Sequence, residues 1–308
     1  NVSQAAVITA GEGPRLDGVD ARFIAEPAGE GAPSIALEVS GGNDGGAEWA
    51  MNGRLQRRAD GGLSGEFAFA DLVPQELMGL AENSAVHMES PISGQLAFAT
   101  LQDGTLADGR FDILVGAGKI QAGKDIDFLL DEARISGTWD ASRRALRIAP
   151  SRILAGQNQA MLAGEFVVPD KRSMSYGTVP FGLGFTDVRI GIGKDKEPVA
   201  IDAVVFDAVY DVLNHQTRVN RLDFLKGDAS LSMLGFVRQA PGSPGIALRG
   251  SAAKMSIDVF KSLWPEGLAP LTRDWIVRQV HGGDIVDATV NIDIRPGDLA
   301  AAGGVRGL

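Results

Sequence analysis

The sequence predicts a mainly β protein: repeated antiparallel β-hairpins forming a long, twisted and bent sheet, a β-groove, with a few short helices. Three observations carry that prediction. Large apolar residues recur at every second position over many short stretches, which is the pattern of strands with one buried face. The chain holds 40 glycines in 308 residues, and turn signals separate the apolar stretches. Finally, Trp139–Val167 matches Tyr210–Arg238 without a gap, an offset of 71 residues.

The self-match pairs Trp139 with Tyr210, Asp140 with Asp211, Ile148 with Val219 and Leu154 with Leu225. It continues through Gly156 and Gly227, Leu162 and Met233, and Gly164 and Gly235. Self-similarity at fixed spacing marks a repeat architecture, in which each unit buries its apolar face against its neighbours. A coil period near 20 residues would indicate a regular solenoid; 71 fits pairs of hairpins better.

Taken in chain order, Ile35–Val39 and Trp49–Leu55 alternate. A polar connection, Arg57–Gly62, then leads to Leu63–Phe69. A short helix is expected at Pro74–Leu80, with proline in its first turn. Strands follow at Leu96–Thr100, Phe111–Val115, Ile126–Leu130 and Ile135–Trp139, with turns at Asp103-Gly104, Asp108-Gly109 and Asp140–Arg143. Further strands are expected at Leu162–Val168, Leu183–Ile192, Val199–Phe206, Val219–Leu225, Leu231–Val237 and Ile246–Gly250. Asn214–Gln216 and Pro241–Gly245 are the turns among them.

A second helix is expected at Asp258–Leu263, ended by the Trp264-Pro265 step, since a residue before proline avoids helical angles. Its context, a strand and then an acidic residue, echoes Gly65–Leu77. A third helix, Arg273–His281, takes Thr272 as N-cap and ends at Gly282-Gly283. Trp275, Ile276 and Val280 form its apolar stripe, so that Trp264 and Trp275 staple short helices to the sheet. The clearest strand comes last. In Val286–Ile294, Val286, Ala288, Val290, Ile292 and Ile294 share one face, and Asp287, Thr289, Asn291 and Asp293 the other. These patterns divide the chain into a β-repeat segment (1–132), two related hairpin units (133–250), and a closing stretch of helices and strand (251–308).

Composition removes several functional classes. A net charge of −10 and a pI near 4.9 argue against a protein that tracks nucleic-acid phosphates. There is no cysteine, and His87, His215 and His281 are too far apart for a zinc site. Asp125, Asp127, Asp202, Asp207 and Asp211 fit no calcium loop. No Gly-x-Ser-x-Gly nucleophile elbow occurs, and Gly41–Gly46 reads as a turn rather than a phosphate cradle. No cofactor is expected, and no catalytic residue. No run of 18 apolar residues is present. The chain starts at Asn1 without a signal peptide, and is read as a segment whose targeting elements lie elsewhere.

The run Leu263-Trp-Pro-Glu-Gly-Leu-Ala-Pro-Leu-Thr-Arg-Asp-Trp275, followed by Val280-His-Gly-Gly-Asp-Ile-Val286 and an alternating strand, resembles the AsmA-like family. Its nearest resemblance is to the large YhdP- and TamB-type envelope proteins. The unit Gly137-Thr-Trp-Asp140, Ala155-Gly156 and Leu162-Ala-Gly164 is similar to their strand–turn–strand repeats. The sharp part of the resemblance covers Leu263 to about Arg295. It implies a periplasmic segment, anchored in the inner membrane by a helix outside it, whose bent sheet carries phospholipid acyl chains toward the outer membrane. That role is not enzymatic.

Physical chemistry points the same way. A sheet apolar on one face must cover it with a second layer, close into a barrel, or hold a ligand, and few helices are available here as cover. The expected lining is Trp49, Phe67, Phe98, Trp139, Ile148, Leu162, Phe224, Met233, Val290 and Ile292, as a continuous apolar concave strip. The alternative is a structural or adhesion module with a closed core and no lipid, in which Phe67, Phe98, Ile148, Phe224 and Val290 are fully buried.

Overall fold

The computed structural model describes residues 2–8, 15–26, 33–42, 48–73, 86–122, 126–169, 177–191, 198–240, 244–264 and 270–298. Strands dominate them. They are β1 (Val2–Ile8), β2 (Arg15–Glu26), β3 (Ser34–Gly42), β4 (Glu48–Arg57), β5 (Leu63–Leu72), β6 (Val86–Met88) and β7 (Ile92–Thr100). Next come β8 (Leu106–Val115), β9 (Gly118–Ala122), β10 (Ile126–Leu130), β11 (Glu132–Asp140), β12 (Ala145–Ala155) and β13 (Asn158–Val167). The last are β14 (Thr178–Ile190), β15 (Val199–Asp211), β16 (Gln216–Lys226), β17 (Ala229–Arg238), β18 (Gly245–Ser256) and β19 (Asp284–Ile294). Two short helices, α1 (Ile257–Leu263) and α2 (Pro270–Gln279), lie between β18 and β19. The helix expected at Pro74–Leu80 falls outside the described residues.

Sixteen strands form one antiparallel sheet in chain order, from β1 to β19, omitting only β6, β9 and β10. Those three make a small sheet of their own, in the order β10–β9–β6. The large sheet is open, since its order ends at β1 and β19 and does not close on itself. Chain-order pairing is what short hairpin turns produce, because each strand folds back on the one just made. The chain forms two compact units: residues 1–120 with 129–151, and residues 121–128 with 152–308.

In the first unit, pairing separates the side chains cleanly by face. Leu37 pairs with Gly53, Gly53 with Phe67, Phe67 with Leu96, Leu96 with Phe111 and Phe111 with Gly137. The next row on the same face holds Ile35, Leu55, Gly65, Phe98 and Gly109. On the opposite face, Arg22, Glu38, Asn52, Ala68, Gln95, Asp112 and Ser136 form one row. The period-2 sequence pattern becomes an apolar face and a charged face because strand side chains alternate.

Glycine has a second use here besides turns. A Cβ on Gly41 would meet the Trp49 ring at 2.7 Å, one on Gly53 would meet Phe67 at 2.3 Å, and one on Gly65 would meet Phe98 at 2.7 Å. Each aromatic ring therefore lies across a glycine of the neighbouring strand, an arrangement that covers bare backbone with apolar surface. The Asp108-Gly109 pair, expected as a turn, is instead inside β8. A Cβ on Gly109 would lie 3.2 Å from Cβ of Trp139, so the glycine makes room for the tryptophan. Asp103-Gly104 does form the turn, with Gly104 at φ 81°.

The 71-residue repeat is reproduced in the strand bounds and the turns. β12 and β13 begin and end 71 positions before β16 and β17. Arg144 and His215 close equivalent loops in the left-handed conformation, at φ 51° and 47°. Gly156 and Gly227 open equivalent two-residue turns at φ 58° and 55°, as such hairpin turns require of their first residue. Asp140 and Asp211 start the preceding loops with the same device. Asp140 Oδ1 accepts from Arg143 N at 3.1 Å, and Asp211 Oδ1 accepts from Leu213 N and Asn214 N at 3.0 Å each.

Left-handed aspartates recur inside or at the end of strands: Asp71, Asp187 and Asp287, at φ 54°, 49° and 53°. Register shifts at the first two mark local irregularities in pairing. The residue after each one joins an apolar cluster: Leu72 with Val19 and Trp49, Val188 with Val199 and Ile201, and Ala288 beside Ala252 and Met255. A left-handed residue re-aims the strand, so the next side chain turns into the cluster.

α1 starts one residue earlier than expected, with Ser256 as N-cap accepting from Val259 N at 3.3 Å. Trp264 is extended, at φ −83° and ψ 111°, as a residue before proline prefers. Thr272 is not the N-cap of α2. Pro270 opens that helix and Thr272 lies within it, because proline lacks only an N–H that is unbonded at the first helical position anyway. Trp264 packs edge-on against Phe260 at 5.1 Å. Trp275, expected in an inward stripe, is instead 61% exposed.

Candidate functional site

The second unit presents its apolar face as three adjacent rows. The first runs Leu162, Phe185, Val204, Phe224, Leu231, Ala252, Ala288. Beside it lies Gly164, Leu183, Phe206, Leu222, Met233, Gly250, Val290. The third is Phe166, Phe181, Ala208, Val219, Gly235, Leu248, Ile292. Each row crosses every strand from β13 to β19. A bulge in β16, where Val219 and Leu222 flank Asn220 and Arg221, keeps both apolar residues on this face. Arg221 is thereby aimed to the other face, where its guanidinium meets Asp223 at 2.6 Å and Asp207 at 3.9 Å.

Most residues of these rows are half-buried, and Ala208, Val219, Met233 and Ala252 are buried outright. α1 is laid on this sheet. Its Val259 and Phe260 pack beside Leu231, Ala252, Met255 and Ala288 at one end of the first row. Aromatic contacts tie neighbouring strands together: Phe166 stacks on Phe181 at 5.5 Å, and Phe181 meets Phe206 edge-on at 5.4 Å. Neutral and apolar, the face offers burial without directional bonds.

Comparison with protein-family models, with curated proteins and with solved structures finds no match.

The structure places five of the ten expected lining residues in each unit. In the second, Leu162 and Phe224 share one row, Met233 and Val290 the next, and Ile292 the third. In the first, Phe67 and Phe98 stack at 6.2 Å with rings nearly parallel, and Trp49 is buried between Val19 and Leu72. Trp139 is half-buried, its indole Nε1 donating to Leu106 O at 2.9 Å. Ile148, half-buried on β12, occupies the repeat position of Val219. Sequence reasoning missed Phe181, Leu183, Phe206 and Leu222, although Phe181, Leu183 and Phe185 alternate in plain view.

The first unit departs from an apolar concavity in one respect. It contains a groove of about 1040 Å³, and the groove runs along the charged face. Its lining takes in Arg22, Glu38, Asn52, Arg54, Glu66, Gln95, Arg110 and Asp112, over Ala36, Ala50, Ala68 and Ala97. Of the apolar face it touches only residues lying between these along the strands. Short alanines set the floor and long charged side chains raise the walls. Asp20 also lines it, so four carboxylates face three arginines; Arg22 reaches Glu38 at 3.6 Å, and Arg110 reaches Glu66 at 3.6 Å. Such exposed pairs contribute little. Among the described residues, no group of three His, Asp or Glu is placed to hold a metal ion, and no helix is long and apolar enough to cross a membrane.

Three carboxylates are held below the ordinary aspartate range. Asp112 is lowered first by its hydrogen bond from Arg134, Asp140 by Ser142, and Asp211 by Asn214. Lowered folded-state values mean that the unfolded chain binds protons more readily at acid pH. Their stabilisation is complete above the unfolded aspartate value of about 3.9 and is lost as pH falls through the lower folded values. Urea midpoints should therefore hold steady above about pH 5 and decline below about pH 4. Asp211→Asn, which cannot titrate, should flatten that decline; an equal decline in the variant would assign the acid sensitivity elsewhere.

Proposed function

We propose that the apolar face of the second unit binds phospholipid acyl chains, and that the protein is a non-enzymatic lipid-carrying segment of the AsmA-like kind. In that reading it works in the periplasm of a cell envelope, within a protein anchored in the inner membrane. One observation carries it: three adjacent apolar rows spanning β13 to β19, most of their residues only half-buried. Each methylene moved from water onto such a surface contributes roughly 0.8 kcal/mol. Spread over uniform rows, that energy holds a chain firmly without fixing it at one point. The open strand order and chain-order hairpins agree with a repeated carrying surface.

The test is native mass spectrometry with lipid extraction on the chain purified from a Gram-negative envelope. Phospholipid should co-purify, and Phe206→Asp or Phe224→Asp should remove it while circular dichroism stays that of a β protein. A stable, lipid-free wild-type protein would sink the proposal and leave a structural module whose rows cover one another.

A further inference from the structure

The apolar face of the second unit has two unlike ends. At one end Phe185, Val204 and Phe224 pack beside Val188, Val199 and Ile201, and α1 covers the same end over β17 to β19, where Val259 and Phe260 lie beside Leu231, Ala252 and Ala288. At the other end, the row beyond Phe181 and Ala208 holds Val179, Tyr210, Thr217, Val237, Ile246 and Ile294. Tyr210 alternates with Ala208, Phe206 and Val204 on β15, so it projects from the apolar face. Its hydroxyl lies 3.2 Å from His215 Nδ1 and 3.5 Å from Gln239 Oε1. Gln239 N in turn donates to His215 O at 2.9 Å. Three side chains able to donate hydrogen bonds, a phenol, an imidazole and an amide, thus converge at the loop end of β15 and β16, beside the apolar Val179 and Val237.

We infer that this unit holds its lipid in one orientation, with the acyl chain along β14 to β16, its methyl end toward Phe185, Val204 and Phe224, and its headgroup phosphate at Tyr210, His215 and Gln239. The inference rests on the acyl-chain reading above. The span agrees: from Val204 to Tyr210 the strand rises roughly 20 Å, at about 3.3 Å per residue, a length that a long acyl chain covers. The donor set agrees as well, because phenol O–H, imidazole N–H and amide N–H₂ all donate to a phosphate oxygen. The nearby Asp211 carboxylate is engaged by its own turn, through Leu213 N, Asn214 N and Asn214 Nδ2. A ligand apolar at one end and anionic at the other matches both ends of the face at once.

Two probes with the same chain separate head from tail: palmitoyl lysophosphatidylglycerol, which carries a phosphate, and monopalmitoylglycerol, which does not. Binding of each is measured by native mass spectrometry titration to the intact chain and to a Tyr210→Phe/His215→Ala double variant. The double variant should weaken the lysophospholipid about tenfold, the loss of a charge-assisted hydrogen bond or two, and leave the uncharged probe unchanged. Equal affinities for the lysophospholipid in both proteins, or equal weakening of both probes, would overturn the headgroup site while leaving acyl binding intact. Failure of the wild-type chain to bind either probe would overturn the acyl-chain reading itself, and this inference with it.

Discussion

Trp49→Ala should lower the stability of the first unit by about 3–5 kcal/mol, read as a lower urea midpoint by far-ultraviolet circular dichroism. Trp49 is 4% exposed. It sits between Val19 and Leu72, with Val39, Phe69 and Ile92 packed around them. Its ring also covers Gly41, so truncation both opens a cavity and bares backbone. The surrounding strands are fixed to one another by ladder hydrogen bonds and cannot collapse into the space. Trp275→Ala is the control: that side chain is 61% exposed, and its loss should cost no more than about 0.5 kcal/mol. A Trp49→Ala midpoint within error of the control would show that Val19, Trp49 and Leu72 are not the anchor of this unit.

Gly235→Val should disrupt pairing between β17 and β18, at a cost of about 2–5 kcal/mol from backbone strain and overpacking together. Gly235 has φ 151°, and a Cβ there would lie 2.0 Å from Ala247 O. That oxygen belongs to the neighbouring strand's backbone and cannot swing away as a side chain does. Amide hydrogen exchange should show lost protection across Leu231–Arg238 and Gly245–Ala252, with lesser change in β14 and β15. The repeat partner supports the reason: a Cβ on Gly164 would lie 2.3 Å from Gly182 O. Unchanged protection in Gly235→Val would mean that the strands can separate enough to admit a side chain at no cost.

Much of the fold was legible before the structure, and the reason is local. Alternation in Val286–Ile294 or Leu63–Phe69 reports which side chains share a face, since strand geometry repeats every two residues whatever the neighbours are. The Asp140 and Asp211 loops, and the glycines after β12 and β16, were legible because turns are closed by residues adjacent in sequence. β1, β2, β6, β9 and β12 were not marked as strands, because short, charged or proline-interrupted stretches lack the large alternating residues that mark the others. Thr272 misled because a hydroxyl before an acidic residue imitates an N-cap, while Pro270 two positions earlier had the stronger claim.

The candidate site divides in the same way. That Leu162, Phe224, Met233, Val290 and Ile292 belong to one apolar surface followed from each residue's place in its own strand. Which of them stand side by side did not, because row membership depends on register and on the extra residue in β16, where one position flips every later side chain. Glycine shows the limit most plainly. Gly109 reads as a turn residue beside Asp108, yet it lies within β8 beside Trp139, and although Gly53 and Gly65 fall in expected strands, no local pattern shows that the Phe67 and Phe98 rings cover them. The sequence by itself determined a chain of antiparallel hairpins with one apolar and one polar face, because alternation and turn chemistry act within a few residues. Only the tertiary structure decided which aromatic covers which glycine, that the groove of the first unit follows the charged face, and that α1 covers the first apolar row over β17 to β19. Those outcomes depend on contacts between residues distant in the chain, whose spacing no local pattern encodes.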